Sequence, residues 1–135
     1  MKQEKVVMRY ADGRLVKGYA DGSALEGALF HIRPLDPAFS GRRLKVSLRE
    51  LKAVFFVRDF RGNPAYREKK HFSVHQHPAG RKVEVTFVDD GEILVGSTPG
   101  HEPGSAGFFV TPADPNSNNE RVFVIATSIS RFRYI

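Results

Sequence analysis

Residues 6–13, Val6-Val7-Met8-Arg9-Tyr10-Ala11-Asp12-Gly13, return later in the chain as residues 83–91, Val83-Glu84-Val85-Thr86-Phe87-Val88-Asp89-Asp90-Gly91. Both stretches begin with the alternation of a β-strand and end in an Asp-Gly pair, which suits a tight hairpin turn. The second stretch carries one additional residue before this pair. The sequence therefore predicts two units that each open with a β-hairpin.

The likeness continues beyond the Asp-Gly pair without a gap. Residues 12–57 align with residues 90–135 at an offset of 78, and 11 of the 46 aligned pairs are identical. Chance would give about three at average residue frequencies. A repeat of this length is a duplicated domain, because solenoid repeats have periods of about 20 to 50 residues. The identical pairs are Asp12/Asp90, Gly13/Gly91, Gly18/Gly96, Gly22/Gly100, Ala28/Ala106, Phe30/Phe108, Pro34/Pro112, Asp36/Asp114, Pro37/Pro115, Arg43/Arg121 and Val46/Val124.

Each unit contains five short stretches with strand character and no convincing helix. A matched glycine, Gly18 or Gly96, interrupts the second stretch, where we expect a bent strand or a close approach of backbone. A bent strand is what a small closed barrel needs. We predict an all-β protein of two tandem five-stranded small barrels that arose by internal duplication. The predicted strands are residues 6–10, 15–19, 29–33, 44–48 and 53–57, and then 83–87, 93–97, 108–111, 122–126 and 131–135.

These patterns divide the chain into a first barrel at residues 1–57, a connector at residues 58–81 and a second barrel at residues 82–135. The two fourth strands differ, because residues 44–48 alternate whereas residues 122–126 are apolar on both faces. A strand that is apolar on both faces is covered on both sides. We therefore expect four apolar residues at the contact between the units or at a partner surface: Phe55, Val57, Phe123 and Ile125.

Composition limits the functional classes. The chain has 135 residues, 41% of them hydrophobic, and no cysteine, which excludes disulfides, thiolate catalysis and cysteine-ligated zinc and favours a reducing compartment. Its polar N-terminus and short apolar runs predict a soluble cytoplasmic protein without membrane insertion. The carboxylates concentrate in turns, and no serine lies in a G-x-S-x-G elbow, so we expect neither an enzyme nor a cofactor.

The net charge of +6 is unevenly distributed. Residues 41–82 contain 12 Lys/Arg against 3 Asp/Glu, whereas residues 83–135 contain 3 against 7. The basic and acidic parts either attract each other or present a polar face to a partner.

The connector interleaves cations with aromatic rings, a combination that suits phosphates and stacked bases. The favoured interpretation is nevertheless a solvated linker whose aromatic rings pack between the barrels, and the alternatives are a site for nucleic acid and a site for a protein or another anionic partner. The candidate residues for binding a partner or an anion are Arg58, Phe60, Arg61, Tyr66, Arg67, Lys69 and Lys70.

Three histidines follow these residues. His71, His75 and His77 would share one face if this segment is extended, with Phe72 and Val74 on the other. Imidazoles on one face can ligate zinc. No cysteine or nearby carboxylate completes a ligand set, so metal binding is not predicted.

Five short strands per unit, the Val83-x-Val85-x-Phe87 opening with its Asp-Gly turn, and a glycine in the second strand resemble the small barrels of the Sm-like class. That class commonly binds RNA or proteins. The chain is also similar to an uncharacterised bacterial family whose members accompany signalling proteins. It departs from the Sm-like class between the fourth and fifth strands, where residues 48–51 and 126–129 lack the class's Arg-Gly element.

A second resemblance involves the first unit alone. Residues 21–27, Asp21-Gly22-Ser23-Ala24-Leu25-Glu26-Gly27, are similar to the D-x-S-x-x-G element of PilZ domains, which bind a cyclic dinucleotide. The glycine is one residue late, and Arg9 and Arg14 miss the R-x-x-x-R spacing by one. The duplicated barrel, the charge asymmetry and the likeness to a signalling-associated family favour a non-enzymatic protein–protein adaptor in bacterial regulation or signalling. The alternatives are a nucleic-acid-binding protein that uses the basic connector and a cyclic-dinucleotide sensor.

Overall fold

A computed structural model describes residues 2–135, and its strands form one antiparallel sheet of 11 strands. No α-helix occurs in this range, which contains only three short 3₁₀ turns, Pro37–Phe39, Leu48–Glu50 and Ala126–Ser128. The strands are β1 (Glu4–Tyr10), β2 (Leu15–Ala20), β3 (Leu25–Glu26), β4 (Leu29–Pro34), β5 (Leu44–Ser47), β6 (Leu51–Val57), β7 (Arg81–Phe87), β8 (Ile93–Thr98), β9 (Gly107–Pro112), β10 (Asn119–Ile125) and β11 (Ile129–Tyr134).

The all-β prediction is confirmed, and each of the ten predicted strands is present within a few residues of its predicted position. The alternation of apolar residues, the Asp-Gly turns and the prolines that follow β4 and β9 were sufficient to locate them. The sequence pattern does not predict β3, which has two residues and pairs with β4 through Leu25 and Glu26. Two residues are too few to produce a hydrophobic period.

The two units have the same strand order. In the first unit β6 pairs with β1, β1 with β2, β2 with β4 and β4 with β5. In the second, β11 pairs with β7, β7 with β8, β8 with β9 and β9 with β10. A ladder between β6 and β10 joins the units into one open sheet. Closed barrels are not confirmed, because β5 does not pair with β6 and β10 does not pair with β11 within residues 2–135.

The matched glycines lie where another strand comes very close. A Cβ atom on Gly18 would be 2.4 Å from the carbonyl oxygen of Arg33, and one on Gly96 would be 2.1 Å from that of Thr111. Both distances are far inside van der Waals contact, so no other residue fits without a backbone shift. The expected close approach of backbone at these two positions is confirmed.

The sheet encloses two hydrophobic clusters, and the strands at the junction of the units contribute to both. Leu51, Val54 and Phe56 of β6 belong to the first cluster, whereas Ala53 of β6 belongs to the second. Successive residues of a strand point to opposite faces, so one strand can serve two cores.

Side chains from each unit reach the core of the other at this junction. Phe123 and Ile125 of β10 pack in the first cluster, and Phe55 packs against the second. Val57 is buried at the same place and pairs with Asn119. The expected contact between the units through these four residues is confirmed.

Candidate functional site

The connector is fixed to the sheet at its first residues. Asn118, just before β10, accepts a hydrogen bond from the backbone N–H of Arg58 at 2.9 Å through its carbonyl oxygen. Its side chain accepts from the N–H of Asp59 at 3.1 Å and donates to the carbonyl oxygen of Asp59 at 2.9 Å. Three hydrogen bonds to one residue fix the direction in which the connector leaves β6.

Phe60 lies on the outer face of the β1–β2 hairpin. Its ring meets the ring of Tyr19 edge to face, with 5.5 Å between the centroids. The ammonium group of Lys17 donates to the carbonyl oxygen of Phe60 at 2.8 Å, and that of Lys5 lies 5.9 Å from the ring centroid. An edge-to-face aromatic pair and a nearby cation both stabilise this position.

Tyr66 fixes the middle of the connector to the second unit. Its hydroxyl donates to Oδ2 of Asp114 at 2.5 Å, and the backbone N–H of Lys69 donates to the same oxygen at 2.8 Å. The N–H of Asn116 donates to Oδ1 at 2.9 Å. Burial of Asp114 opposes ionisation, but these hydrogen bonds outweigh it and lower the pKa of the carboxyl group. The bond to Asp114 raises the pKa of Tyr66.

The cations of the connector remain at the surface. Arg58 donates through Nε to the carbonyl oxygen of Ser117 at 3.1 Å, and Lys70 pairs with Glu68 at 3.1 Å. Arg61, Arg67 and Lys69 are exposed and form no ion pair with any residue in the described range 2–135. The structure thus attaches the two aromatic candidates to the sheet and leaves the basic candidates facing solvent.

A groove of about 320 Å³ lies between Phe60 and the outer face of the sheet. The alternation of β1 determines which side chains reach it, since Val6 and Met8 enter the first core and Val7 and Arg9 point outward. The apolar floor comes from three neighbouring strands and consists of Val7, Leu15, Phe55 and Val57. The polar residues along it are Arg9, Lys17, Glu92, Asn118 and Asn119.

The groove is positively charged. Two cations and a single carboxylate line it, and Nε of Arg9 is buried without a hydrogen-bond partner among residues 2–135. The groove is not predictable from the sequence pattern, because its floor depends on the pairing of β1 with β6.

The aligned surface of the second unit has different chemistry. Val7 lies opposite Phe55 in the β1–β6 ladder, whereas Glu84 lies opposite Arg133 in the aligned β7–β11 ladder. Glu84 and Arg133 form a two-point ion pair at 2.9 and 3.0 Å. Hydrogen bonding to Arg133 lowers the pKa of Glu84. The first unit therefore has a partly buried apolar pair where the second unit has an ion pair.

Lys52 joins the units electrostatically and was also missed. Its side chain is 1% exposed, and its Nζ lies 3.1 Å from Asp89, 3.4 Å from Asp90 and 3.8 Å from Glu92. The backbone N–H of Glu92 and the charge of Lys52 lower the pKa of Asp90. The basic first unit and the acidic second unit thus attract each other here, which is one of the two alternatives that the charge distribution left open.

A protein-family model matches residues 2–135. The chain belongs to DUF6982, a family of unknown function. No curated protein and no solved structure matches it. The family is not described as Sm-like or PilZ-like, so both resemblances stay predictions, and family membership assigns no activity to the groove. Within residues 2–135 no helix is long and apolar enough to cross a membrane.

The histidines do not form the extended face on which zinc binding would depend. Residues 71–77 contain a turn rather than a strand, and Val74 is 88% exposed instead of facing the core. His71, His75 and His77 are all exposed. In the part of the chain that the structure describes, no group of three His, Cys, Asp or Glu side chains is arranged to hold a metal ion.

The residues that resemble the PilZ elements lie apart. Arg9 pairs with Leu15 at the turn end of the β1–β2 hairpin, whereas Asp21 follows β2 at the other end. Arg14 is engaged by Asp12 at 2.8 Å. Asp21 accepts from the hydroxyl of Ser23 at 2.6 Å, as in an ordinary turn. The structure does not bring these residues into one site.

Proposed function

We propose that this chain is a non-enzymatic adaptor that binds another protein in a bacterial regulatory or signalling pathway in the cytoplasm. Its two units correspond, in this proposal, to tandem Sm-like small barrels. The observation that supports it most is the groove beneath Phe60, which combines an apolar floor with a positive rim. Such patches with polar surroundings mark protein-interaction sites.

The chemistry of the groove favours an acidic peptide segment that carries an apolar side chain. Leu15 is 45% exposed, and covering it and its neighbours removes apolar surface from water. A carboxylate of the partner can interact with the positive charges of Arg9 and Lys17, which line the groove. The apolar contact provides affinity, and the charges provide selectivity for an acidic partner.

Nucleic-acid binding is the second candidate, and the unpaired cations Arg61, Arg67 and Lys69 are the observation that favours it. Base stacking has less support. The Phe60 ring packs on Tyr19, and the Tyr66 hydroxyl is bound to Asp114. A cyclic-dinucleotide sensor has the least support, since its candidate residues lie at opposite ends of a hairpin.

The first prediction concerns the floor of the groove. The tagged protein is incubated with nuclease-treated lysate of its native host, and the proteins that it retains are identified and quantified. The Leu15→Ser variant is then compared with the Ile93→Ser variant. Ile93 is the aligned residue of the second unit and is similarly exposed, at 40% against 45%. We expect Leu15→Ser to weaken binding of the retained protein about three- to tenfold, because covering the exposed 45% of the leucine recovers about half of the roughly 1.5–3 kcal/mol of full burial. Equal retention by both variants would contradict the groove as the site.

The second prediction separates the two candidate functions through the connector. Changing Lys69 and Lys70 together to glutamine removes two exposed positive charges while leaving the groove intact. We expect protein retention to be unchanged. If the protein instead binds nucleic acid through phosphates, the double variant should bind nucleic acid more weakly. The slope of log affinity against log salt concentration should then decrease by the equivalent of about two phosphate contacts. Two results together would establish nucleic-acid binding. All partners would be lost on nuclease treatment, and the double variant would show the reduced salt slope in direct titrations with RNA or DNA.

A further inference from the structure

We propose that β11 is a second docking surface, on which an acidic extended segment of another protein adds a further strand to the sheet. This surface is separate from the groove beneath Phe60. Two docking surfaces on one chain would allow it to hold two partners at once.

β11 has an unoccupied hydrogen-bonding edge. It pairs with β7 along one side, from Ile129 to Tyr134, and with no other strand in residues 2–135. Its aligned strand in the first unit, β6, pairs on both sides, with β1 and with β10. The second unit thus presents an edge at a position where the first unit already accepts a strand. Main-chain pairing at a free edge is a recurring mode of peptide recognition.

A second copy of this chain does not fit this edge. The internal ladder sets Phe55 opposite Val122 and Ala53 opposite Val124. The aligned residues would set Arg133 opposite Leu44 and Arg131 opposite Val46. Two arginines would then occupy the positions at which β6 sets Ala53 and Phe55 against β10.

The free edge β5 of such a copy also carries Lys45, which would lie opposite Phe132 in the same register. Burial of unpaired cations is costly, and the two edges repel each other. The occupant must therefore bring negative charge, which β5 does not supply.

The residues around β11 define that occupant. Arg131 and Arg81 are exposed and form no ion pair with any residue between 2 and 135. The guanidinium group of Arg81 stacks on the ring of Tyr134, with 3.7 Å to the centroid. Phe132 lies on the same face as Tyr134 and joins an aromatic cluster with His101 and Phe108, whereas Arg131 and Arg133 lie on the opposite face. Carboxylates that alternate with apolar side chains complement both faces.

The existing neighbour of β11 already has this pattern. In β7, Val83, Glu84 and Val85 lie opposite Tyr134, Arg133 and Phe132. Glu84 makes its two-point ion pair with Arg133 in that register. A strand of alternating valine and glutamate on the free side would repeat the charge contact on the face of Arg131 and the apolar contact on the face of Phe132 and Tyr134. Opposite charges on neighbouring strands stabilise such pairs.

The experiment uses the full chain and a synthetic peptide of alternating valine and glutamate with blocked ends. Amide hydrogen exchange, measured with and without peptide, reports which backbone N–H groups become protected. We expect protection of alternate amides between residues 130 and 134 and binding that weakens as salt rises. A matched peptide with lysine in place of glutamate should not bind.

Variants locate the contact. Arg131→Glu is expected to weaken binding about tenfold, because it replaces an attractive charge pair with a repulsive one. Lys45→Glu, a charge reversal on the other free edge, is the matched control and should leave binding unchanged. Leu15→Ser should also leave it unchanged, so a failure of the groove proposal would not imply failure here.

Three results would overturn the proposal. Binding of the lysine peptide with equal affinity would show that charge does not select the occupant. Protection at β5 or in the groove, with none at β11, would place the peptide elsewhere. Concentration-dependent self-association in sedimentation experiments that Arg131→Glu abolishes would show that another copy of the chain occupies the edge.

Discussion

Lys52 is the residue through which the first unit meets the acidic turn of the second. Its ammonium group lies within 4 Å of three carboxylates and 4.6 Å from the ring centroid of Phe87. A buried cation is tolerated only when anions offset its loss of hydration. The carboxylates are partly exposed, so they retain some hydration of their own.

We predict that Lys52→Met lowers the free energy of unfolding by about 1–3 kcal/mol, because three neighbouring carboxylates lose their shared cation. The methylene groups of methionine largely preserve packing, so the loss reports the charge. Lys45→Met, an exposed strand lysine on β5, is the control and should change stability little. Urea denaturation measures both variants, and equal midpoints for Lys52→Met and wild type would contradict the structural role of this contact.

Asp114 plays a comparable role between the connector and the second unit, and it makes stability depend on pH. Its pKa is lowered in the folded protein, so the unfolded chain binds the proton more readily. The resulting stabilisation is present above the unfolded pKa, for which the ordinary value is 3.8, and is lost as the pH falls through the folded pKa. Asp12, Asp21, Glu84 and Asp90 are shifted in the same direction and add to the acid sensitivity.

We predict that Asp114→Asn lowers the free energy of unfolding at neutral pH by about 1–3 kcal/mol, because charged hydrogen bonds are replaced by weaker ones. The variant should also lose less stability than wild type between about pH 5 and pH 3, since it lacks one group that protonates. Asp36→Asn in the aligned turn is the control, because Asp36 is exposed and caps only Ala38 locally. A variant with the wild-type pH profile would argue against Asp114 as a source of acid sensitivity.

At the scale of elements, the strands could be predicted because their signals are local. Alternation and the Asp-Gly turns located β1, β2, β7 and β8, and apolar residues on both faces of residues 122–126 correctly indicated that β10 is covered on both sides. The path of the connector could not be predicted in this way, because it depends on contacts with residues far away in sequence. Whether Phe60 packs depends on the distant ring of Tyr19, so the sequence left that alternative open.

The candidate groove could not be predicted for the same reason. It requires the register that sets Val7 opposite Phe55, and two strands far apart in sequence determine that register. The role of Lys52 could not be predicted either. In the sequence it is one polar residue at the start of an apolar strand, and its carboxylate partners lie in a turn of the other unit. Whether a barrel closes also depends on which strands pair. The apolar periodicity of a single strand does not predict its partners.

At the scale of the whole molecule, the exchange of side chains across the β6–β10 ladder makes the two units one cooperative structure. Phe123 belongs to the second unit by sequence but packs in the first core. Its ring contacts that of Phe109, with 4.9 Å between the two centroids. Each unit alone has about 55 residues, a size at which a hydrophobic core is marginal. Neither core is complete without strands from the other unit.

We predict that Phe123→Ala lowers the free energy of unfolding by about 3–5 kcal/mol, because it leaves a cavity in a core shared by both units. The transition should remain single, since loss of one core removes support from the other. Hydrogen exchange of β1 and β8, one strand from each unit, should accelerate together. Lys45→Ala at the aligned, exposed position of the first unit is the control. Two separate transitions, with β8 remaining protected after β1 has exchanged, would show that the units fold independently and that the shared core is not what stabilises the molecule.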